Sequence, residues 1–210
     1  MLTIDLHVHT LYSGDSDCEI SDAIESAKRK GLDGIAITDH DSVAGLEEAM
    51  VIASEEDFLV IPGIEISSGD GHILGLGVSE QIPAGLSAAK TVEKIREKGG
   101  IAISAHPFSL DLKPFSALRA EFDAVEVFNP KRYIGNRLAE NYAQEYNLSK
   151  VGGSDAHFCD EVGLAGIRLD AKPEVDEILK RIKEGRTTVF GRYLPLSNYL
   201  QRIFHRVPQL

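Results

Sequence analysis

The chain has 210 residues, 43% hydrophobic and 26% charged, which is enough to bury a sizeable single core. Its formal charge of −11 argues against the clustered Lys and Arg that a long nucleic-acid or anionic-membrane surface needs, though not against a few nucleotides held at a cation site. No run approaches the roughly 20 apolar residues of a membrane span, and no basic segment leads into a secretory leader, so a cytoplasmic protein with no membrane partner is expected.

In chain order, short apolar runs alternate with helical patterns. LTIDL precedes a helix expected over Ile20 to Lys30, and GIAIT precedes one over Val43 to Glu55. FLVIPGIEI and HILGLGV follow, then a helix over Ser87 to Lys98 with apolar spacing at Ala88, Val92 and Ile95, and the strand IAISA. DAVEVF, a helix over Gly135 to Tyr146, KVGGS, AGIRL, a helix over Glu174 to Glu184 and TTVF complete the pattern. Strand-then-helix units with doubly apolar strands predict an α/β fold with a parallel sheet covered by helices, and their number favours a closed or nearly closed β/α barrel. No repeat or linker divides the chain, so residues 1–210 are expected to form a single domain. Residues 191–210 form its tail, in which Leu196, Tyr199, Leu200 and Ile203 have the spacing of an amphipathic helix.

Polar residues stand at the ends of these runs. His72, which opens HILGLGV, is ambiguous by itself; His7 and His9 end the first strand, His40 follows GIAIT, Glu65 sits in PGIEIS, His106 follows IAISA, and Asp155 and His157 follow KVGGS. In a parallel barrel these places form the C-terminal rim of the strands, where active sites are built. Strand alternation puts Asp5, His7 and His9 on one face and Ile4, Leu6 and Val8 on the other, so two imidazoles can share one cation. An extended SDAH would repeat that geometry with Asp155 and His157.

Singly, each of these residues has an ordinary explanation. A lone His at a strand end is more often a structural hydrogen-bonding group, and His205 in the tail is assigned to that class. Asp15, in YSGDSD, could cap a turn, and Asp39 and Asp41 could cap the next helix or orient His40. Cys18 and Cys159 form neither a CxxC pair nor a disulfide framework and are read as small buried thiols. Collectively, six of seven histidines and three carboxylates converge on one rim, a costly arrangement without a cation. The nine groups His7, His9, Asp15, His40, Glu65, His72, His106, Asp155 and His157 exceed what one ion needs; two or three cations sharing Glu65 fit the count. Mixed imidazole and carboxylate donors favour Mn, Zn or Fe over Ca or Mg. Three divalent ions would outweigh the three carboxylates and attract an anion such as phosphate.

DLHVHT, the Asp of YSGDS, ITDHD, PGIEIS, HILGLG, SAHP and GGSDAH, in that order, resemble the signature of the polymerase and histidinol phosphatase (PHP) superfamily, over Leu2 to about Phe190. The resemblance implies a distorted (β/α)7 barrel, a trinuclear metal centre at the C-terminal rim and metal-dependent phosphoesterase activity. It would give one ion His7, His9, Glu65 and Asp155, a second Glu65, His72 and His106, and a third Asp15, His40 and His157. It would make the nucleophile a hydroxide on the metal ions, with His40 or His157 as candidate general acids. VEVFNPKRY resembles a segment ending near substrate, making Asn129 a candidate contact to substrate or to a metal-binding residue, and Lys131 and Arg132 candidate phosphate clamps. Arg137 and Asn141, on the next helix, are weaker candidates. Only 33 residues separate His72 from His106, so the cap insertion of relatives that act on nucleoside monophosphates is missing. The expected substrate is a small phosphorylated metabolite or nucleotide. The alternatives are a phosphodiester or short RNA end, histidinol phosphate, a non-catalytic metal-binding module, and an amidohydrolase on a related barrel. Oligomeric state is left open.

Overall fold

A computed structural model describes residues 1–109 and 120–195. In chain order its elements are β1 (Leu2–Val8), α1 (Ile20–Arg29), β2 (Gly34–Ile37), α2 (Leu46–Glu55), β3 (Leu59–Ser68), β4 (Gly71–Leu76) and α3 (Ala88–Glu97). Then follow β5 (Ile101–Ser104), β6 (Ala124–Phe128), α4 (Tyr133–Glu145), β7 (Lys150–Gly152), β8 (Ala165–Leu169), α5 (Val175–Lys183) and β9 (Thr188–Gly191). The expected tail helix, with Leu196, Tyr199, Leu200, Ile203 and His205, lies outside the described residues.

The strands form one nine-stranded, nearly closed, barrel-shaped sheet in the order β7-β6-β5-β4-β3-β2-β1-β8-β9. The sheet is mixed, which corrects the expectation of a parallel one. β1, β2 and β3 are parallel, as are β5, β6 and β7, but β4 runs antiparallel to both β3 and β5. Only Gly69 and Asp70 join β3 to β4, far too little chain for a parallel crossover, so the link must be a hairpin. β8 likewise pairs antiparallel with both β1 and β9. The rim closes where the segment after β7 meets β1: Val8 and Ala156 form a parallel bridge, and the His9 N–H donates to the Ala156 carbonyl at 2.9 Å.

Helix faces follow from spacing. On α1 the residues Ile20, Ala23, Ile24 and Ala27 are buried, with Lys28 and Arg29 in the last turn, where cations complement the helix dipole. α3 starts at Ser87, whose hydroxyl accepts the Lys90 N–H at 3.4 Å. Ile4, Leu6, Ile61, Leu74, Leu76, Ile103 and Ile167 are all fully buried in one apolar cluster that α5 joins through Ile178 and Ile182. Each such side chain contributes roughly 1.5–3 kcal/mol by leaving water.

β1 departs from simple alternation. Its register against β2 runs Asp5 to Ile35 and then Val8 to Ile37, three residues against two, the mark of a β-bulge. Leu6 therefore packs in the cluster with Ile61 and Leu74, whereas Val8 packs with Ile35 and Ile37 against α1 and α2. Leu6 and Val8 do not share a packing face, and the bulge turns His7 and His9 towards the rim. Asp5, fully buried, supports this strand end through the backbone. Its carboxylate accepts the backbone N–H groups of His7 (3.2 Å), Ser154 (2.9 Å) and Gly163 (2.8 Å), tying β1 to the loops after β7, and burial pushes its pKa up to about 6.

Candidate metal centre

Glu65, fully buried near the end of β3, is the hub of the rim. Five imidazoles stand around its carboxylate: His7 Nε2 (3.1 Å), His9 Nε2 (3.1 Å), His40 Nδ1 (3.2 Å), His72 Nδ1 (2.9 Å) and His106 Nε2 (3.1 Å). Backbone pairing places His40 there, since the Glu65 N–H donates to the Asp39 carbonyl and the Asp41 N–H to the Glu65 carbonyl. His72 arrives from the start of β4, which begins at this rim because β4 runs opposite to β3.

All nine residues singled out in the sequence belong to compact groups whose donor atoms lie within 4.8 Å of one another. The groups are His7 with Glu65 and His106, His7 with His9 and Asp155, His40 with Glu65 and His72, and His9 with Asp15, His40 and His157. They overlap more than the expected division: besides Glu65, His7, His9 and His40 are each in two groups. The extended SDAH is not found. Asp155 has a left-handed backbone (φ 53°), and the segment sends Asp155 towards His7 and His9 while His157 goes to Asp15, 3.1 Å away. His106 also has positive φ (27°), and such backbone strain is concentrated at functional sites.

Neighbouring oxygens fix three of the rings. His7 Nδ1 lies 3.0 Å from Glu126 Oε1, His9 Nδ1 2.9 Å from Ser13 Oγ, and His157 Nδ1 2.9 Å from the Asp155 carbonyl. Each contact leaves Nε2 turned to the shared space, the usual support of an imidazole that binds a metal.

The donor set fits divalent cations. His7 and His9 bring their Nε2 atoms within 3.1 Å of each other, a spacing that needs a proton or a cation between two nitrogens. Among the described residues, the buried His106 Nδ1 makes no hydrogen bond, and neither does His40 Nδ1 despite its closeness to Glu65. Burial alone would lower the His7 pKa, but Glu65, Glu126 and Asp155 raise it well above its ordinary value; His9 and His72 are raised against the same opposing burial. Burial would raise Glu65, yet its imidazoles hold it well below the carboxylate range. Asp155 is likewise low, with Lys131 and then His7 outweighing burial. These shifts favour protons on the imidazoles of the metal-free centre, where a cation would sit. Cation binding is expected to release protons, and apparent affinity to rise with pH through the neutral range. Calorimetric titration in buffers of different ionisation enthalpy checks this, and heats independent of buffer would contradict it.

Several flanking residues act differently from expectation. Asp39 and Asp41 do not cap α2, which starts after Gly45 without a side-chain cap. Asp39 accepts the Thr10 N–H (2.6 Å) and hydroxyl (2.8 Å), and Asp41 accepts the Ser67 N–H (2.7 Å). Asn129 is fully buried: its amide donates to Asp155 Oδ2 (3.2 Å) and its carbonyl oxygen accepts the Lys131 N–H (3.0 Å). It positions Asp155. Lys131 hydrogen-bonds the Asp155 carbonyl and brings Nζ within 3.3 Å of His157 Nδ1 and 3.5 Å of Glu161 Oε2. Arg132 is half-buried at the start of α4, and Arg137 and Asn141 are exposed on that helix.

Sequence reading missed three features. Glu126 contacts His7 and the backbone of His106, and Glu161 accepts the His157 N–H at 2.7 Å. Glu126 had a signal, as a lone charge between Val125 and Val127 in an apolar strand; Glu161 had none. The third is a disulfide. Cys18 and Cys159 are bonded to each other, not free thiols, because the Asp15 and His157 loops lie side by side: the Asp17 N–H donates to the His157 carbonyl, and Ser16 Oγ donates to the carbonyls of His9 and His157.

A family profile described as PHP-associated matches residues 134–187. An uncharacterised protein of Methanocaldococcus jannaschii is 41% identical over 151 residues, covering 65% of this chain and 88% of that one. A phosphoribosyl 1,2-cyclic phosphate 1,2-diphosphodiesterase of Eggerthella lenta is 41% identical over 86 residues, covering 38% of this chain and 32% of its own. A solved two-domain protein of Bacteroides vulgatus, described as containing a predicted PHP-like metal-dependent phosphoesterase, superposes with a TM-score of 0.76 at 21% identity, covering 98% of this chain and 69% of that one. The proteins that share this barrel or its motifs are thus described as a phosphoesterase and a diphosphodiesterase. The chain belongs to the PHP family. No helix among the described residues is long and apolar enough to cross a membrane.

Proposed function

We propose that the protein hydrolyses a phosphate ester of a small metabolite or nucleotide at a centre of two or three divalent cations (Mn, Zn or Fe) held by His7, His9, Asp15, His40, Glu65, His72, His106, Asp155 and His157. The observation that carries this reading is the ring of five imidazoles around the buried Glu65 carboxylate, widened by Asp15 and Asp155. When bound, the cations acidify the attacking water and stabilise charge on the phosphoryl and leaving oxygens. Glu65 would be shared between cations, and Asp155 would hold one together with His7 and His9. Burial and the neighbouring imidazoles bring His40 down to about 4, so at pH 7 it serves as a neutral donor rather than an acid.

Charge supports an anionic substrate. Three divalent cations would bring six positive charges against the five carboxylates Asp15, Glu65, Glu126, Asp155 and Glu161, and Lys131 adds another positive charge. Lys131 is proposed to turn towards the substrate phosphate. A charge-assisted hydrogen bond contributes about 1.5–3 kcal/mol, so Lys131→Met is expected to raise KM roughly tenfold or more while leaving cation stoichiometry unchanged. Steady-state kinetics with metal analysis reads both.

Mn-loaded protein is expected to hydrolyse a generic phosphomonoester, and His9→Ala or Asp155→Ala to abolish turnover. Undiminished activity in both variants would refute the centre. A phosphodiester is the second reading, favoured by the diphosphodiesterase relative and by a connection from β4 to β5 that holds only a loop and α3. Phosphate release from monoesters compared with shortening of oligonucleotides separates the two.

A further inference from the structure

We infer that Glu126 is a positioning residue that fixes His7 and His106 for cation binding; this rests on the metal-centre reading above. Glu126 sits mid-strand in β6, 1% exposed, flanked by Val125 and Val127, which pack outward against α4. A buried carboxylate there is costly unless every lone pair has work, and this one meets three donors. Oε1 faces His7 Nδ1 at 3.0 Å, while Oε2 accepts the His106 backbone N–H at 2.9 Å and the Asn129 amide at 3.4 Å. Glu126 thus joins β1 to the turn after β5, the two segments that supply His7 and His106 to one donor group with Glu65.

The requirement is for an acceptor on both sides. An ionised carboxylate only accepts, so it holds the His7 proton on Nδ1 and leaves the Nε2 lone pair facing Glu65 and His9. It also holds the His106 backbone in its strained positive-φ conformation. A glutamine cannot do both. With its oxygen towards His106, its NH2 meets His7 Nδ1 and forces the proton onto Nε2, where the cation would bind. With its oxygen towards His7, its NH2 opposes the His106 N–H. The space is tailored as well: a Cβ on Gly153 would lie 2.3 Å from His7 Cβ and 2.9 Å from Glu126 Oε1, so only glycine lets the two side chains meet there.

The test compares Mn or Zn titration of wild type and Glu126→Gln by calorimetry with metal analysis, alongside metal-free melting curves. The variant is expected to lose 10- to 100-fold in affinity for the position served by His7 and His106, with a smaller change at the position served by Asp15 and His157. Glu126→Asp, which keeps the acceptors but shortens the reach, is expected to fall between. Wild-type affinity in Glu126→Gln would overturn the inference while leaving the metal centre standing; failure of wild type to bind cations would remove the centre itself. Nitrogen-15 NMR of the His7 ring in wild type decides the matter even if the variant does not fold: a proton on Nδ1 with Nε2 bound to the cation is expected, and the reverse arrangement overturns it.

Discussion

Glu65→Gln is expected to lower both bound cation and phosphoesterase turnover by at least about a hundredfold, more than loss of a group that only orients a ligand. The substitution preserves volume, so the effect is electrostatic. Five ring nitrogens now share one acceptor-only group, and an amide offers them one oxygen and two N–H donors. In the metal-free protein the change also strips the protonated imidazoles of their counter-charge. Removing one partner of a buried ion pair costs about 3–5 kcal/mol, so metal-free Glu65→Gln should melt well below metal-free wild type. Metal analysis, kinetics and calorimetry on the same preparations check all three effects, and full cation content with wild-type turnover would show that Glu65 is not the hub.

Breaking the disulfide is expected to have the second largest effect. Cys18 and Cys159 are 141 residues apart in sequence, so the bond closes most of the chain into a loop and removes much freedom from the unfolded state. A stabilisation of roughly 2–4 kcal/mol is typical, equivalent in a chain of this size to about 5–15 °C in Tm. The consequence extends to the site. Cys18 lies three residues after Asp15 and Cys159 two after His157, so the bond clamps two loops of one donor group. Reduction, or Cys18→Ser with Cys159→Ser, should lower Tm by that amount and weaken the Asp15 and His157 position more than the one around His7. The double variant should no longer respond to reductant. A Tm unchanged by reductant in wild type would contradict the assignment.

What was legible in the sequence was the placement of ligand residues after apolar runs. His7, His9, His40, Glu65, His106, Asp155 and His157 could be assigned to one rim because strand ends are visible as the points where apolar runs stop. Their grouping was less visible because it depends on two irregularities that leave no compositional mark, the bulge in β1 and the left-handed backbone at Asp155. Strict alternation put Asp5 on the face of the histidines, but gave no sign of the backbone N–H groups of His7, Ser154 and Gly163 that its carboxylate binds. The short Gly69-Asp70 link could have been read as a hairpin, which explains how His72 reaches the same rim from the start of a strand. Glu126 looked like part of an ordinary strand until its partners on β1 and after β5 were in view, and the disulfide joins loops that only the fold makes neighbours.

The central claim is that turnover depends on cations held by this ring of imidazoles. The most direct measurement is to strip the protein with chelator, add back Mn stepwise, and follow phosphate release from a monoester and a diester against bound metal. The account predicts no turnover without metal and activity that appears only as the second or third equivalent binds. Full activity in the stripped protein, or two to three bound equivalents with neither ester hydrolysed, would contradict it.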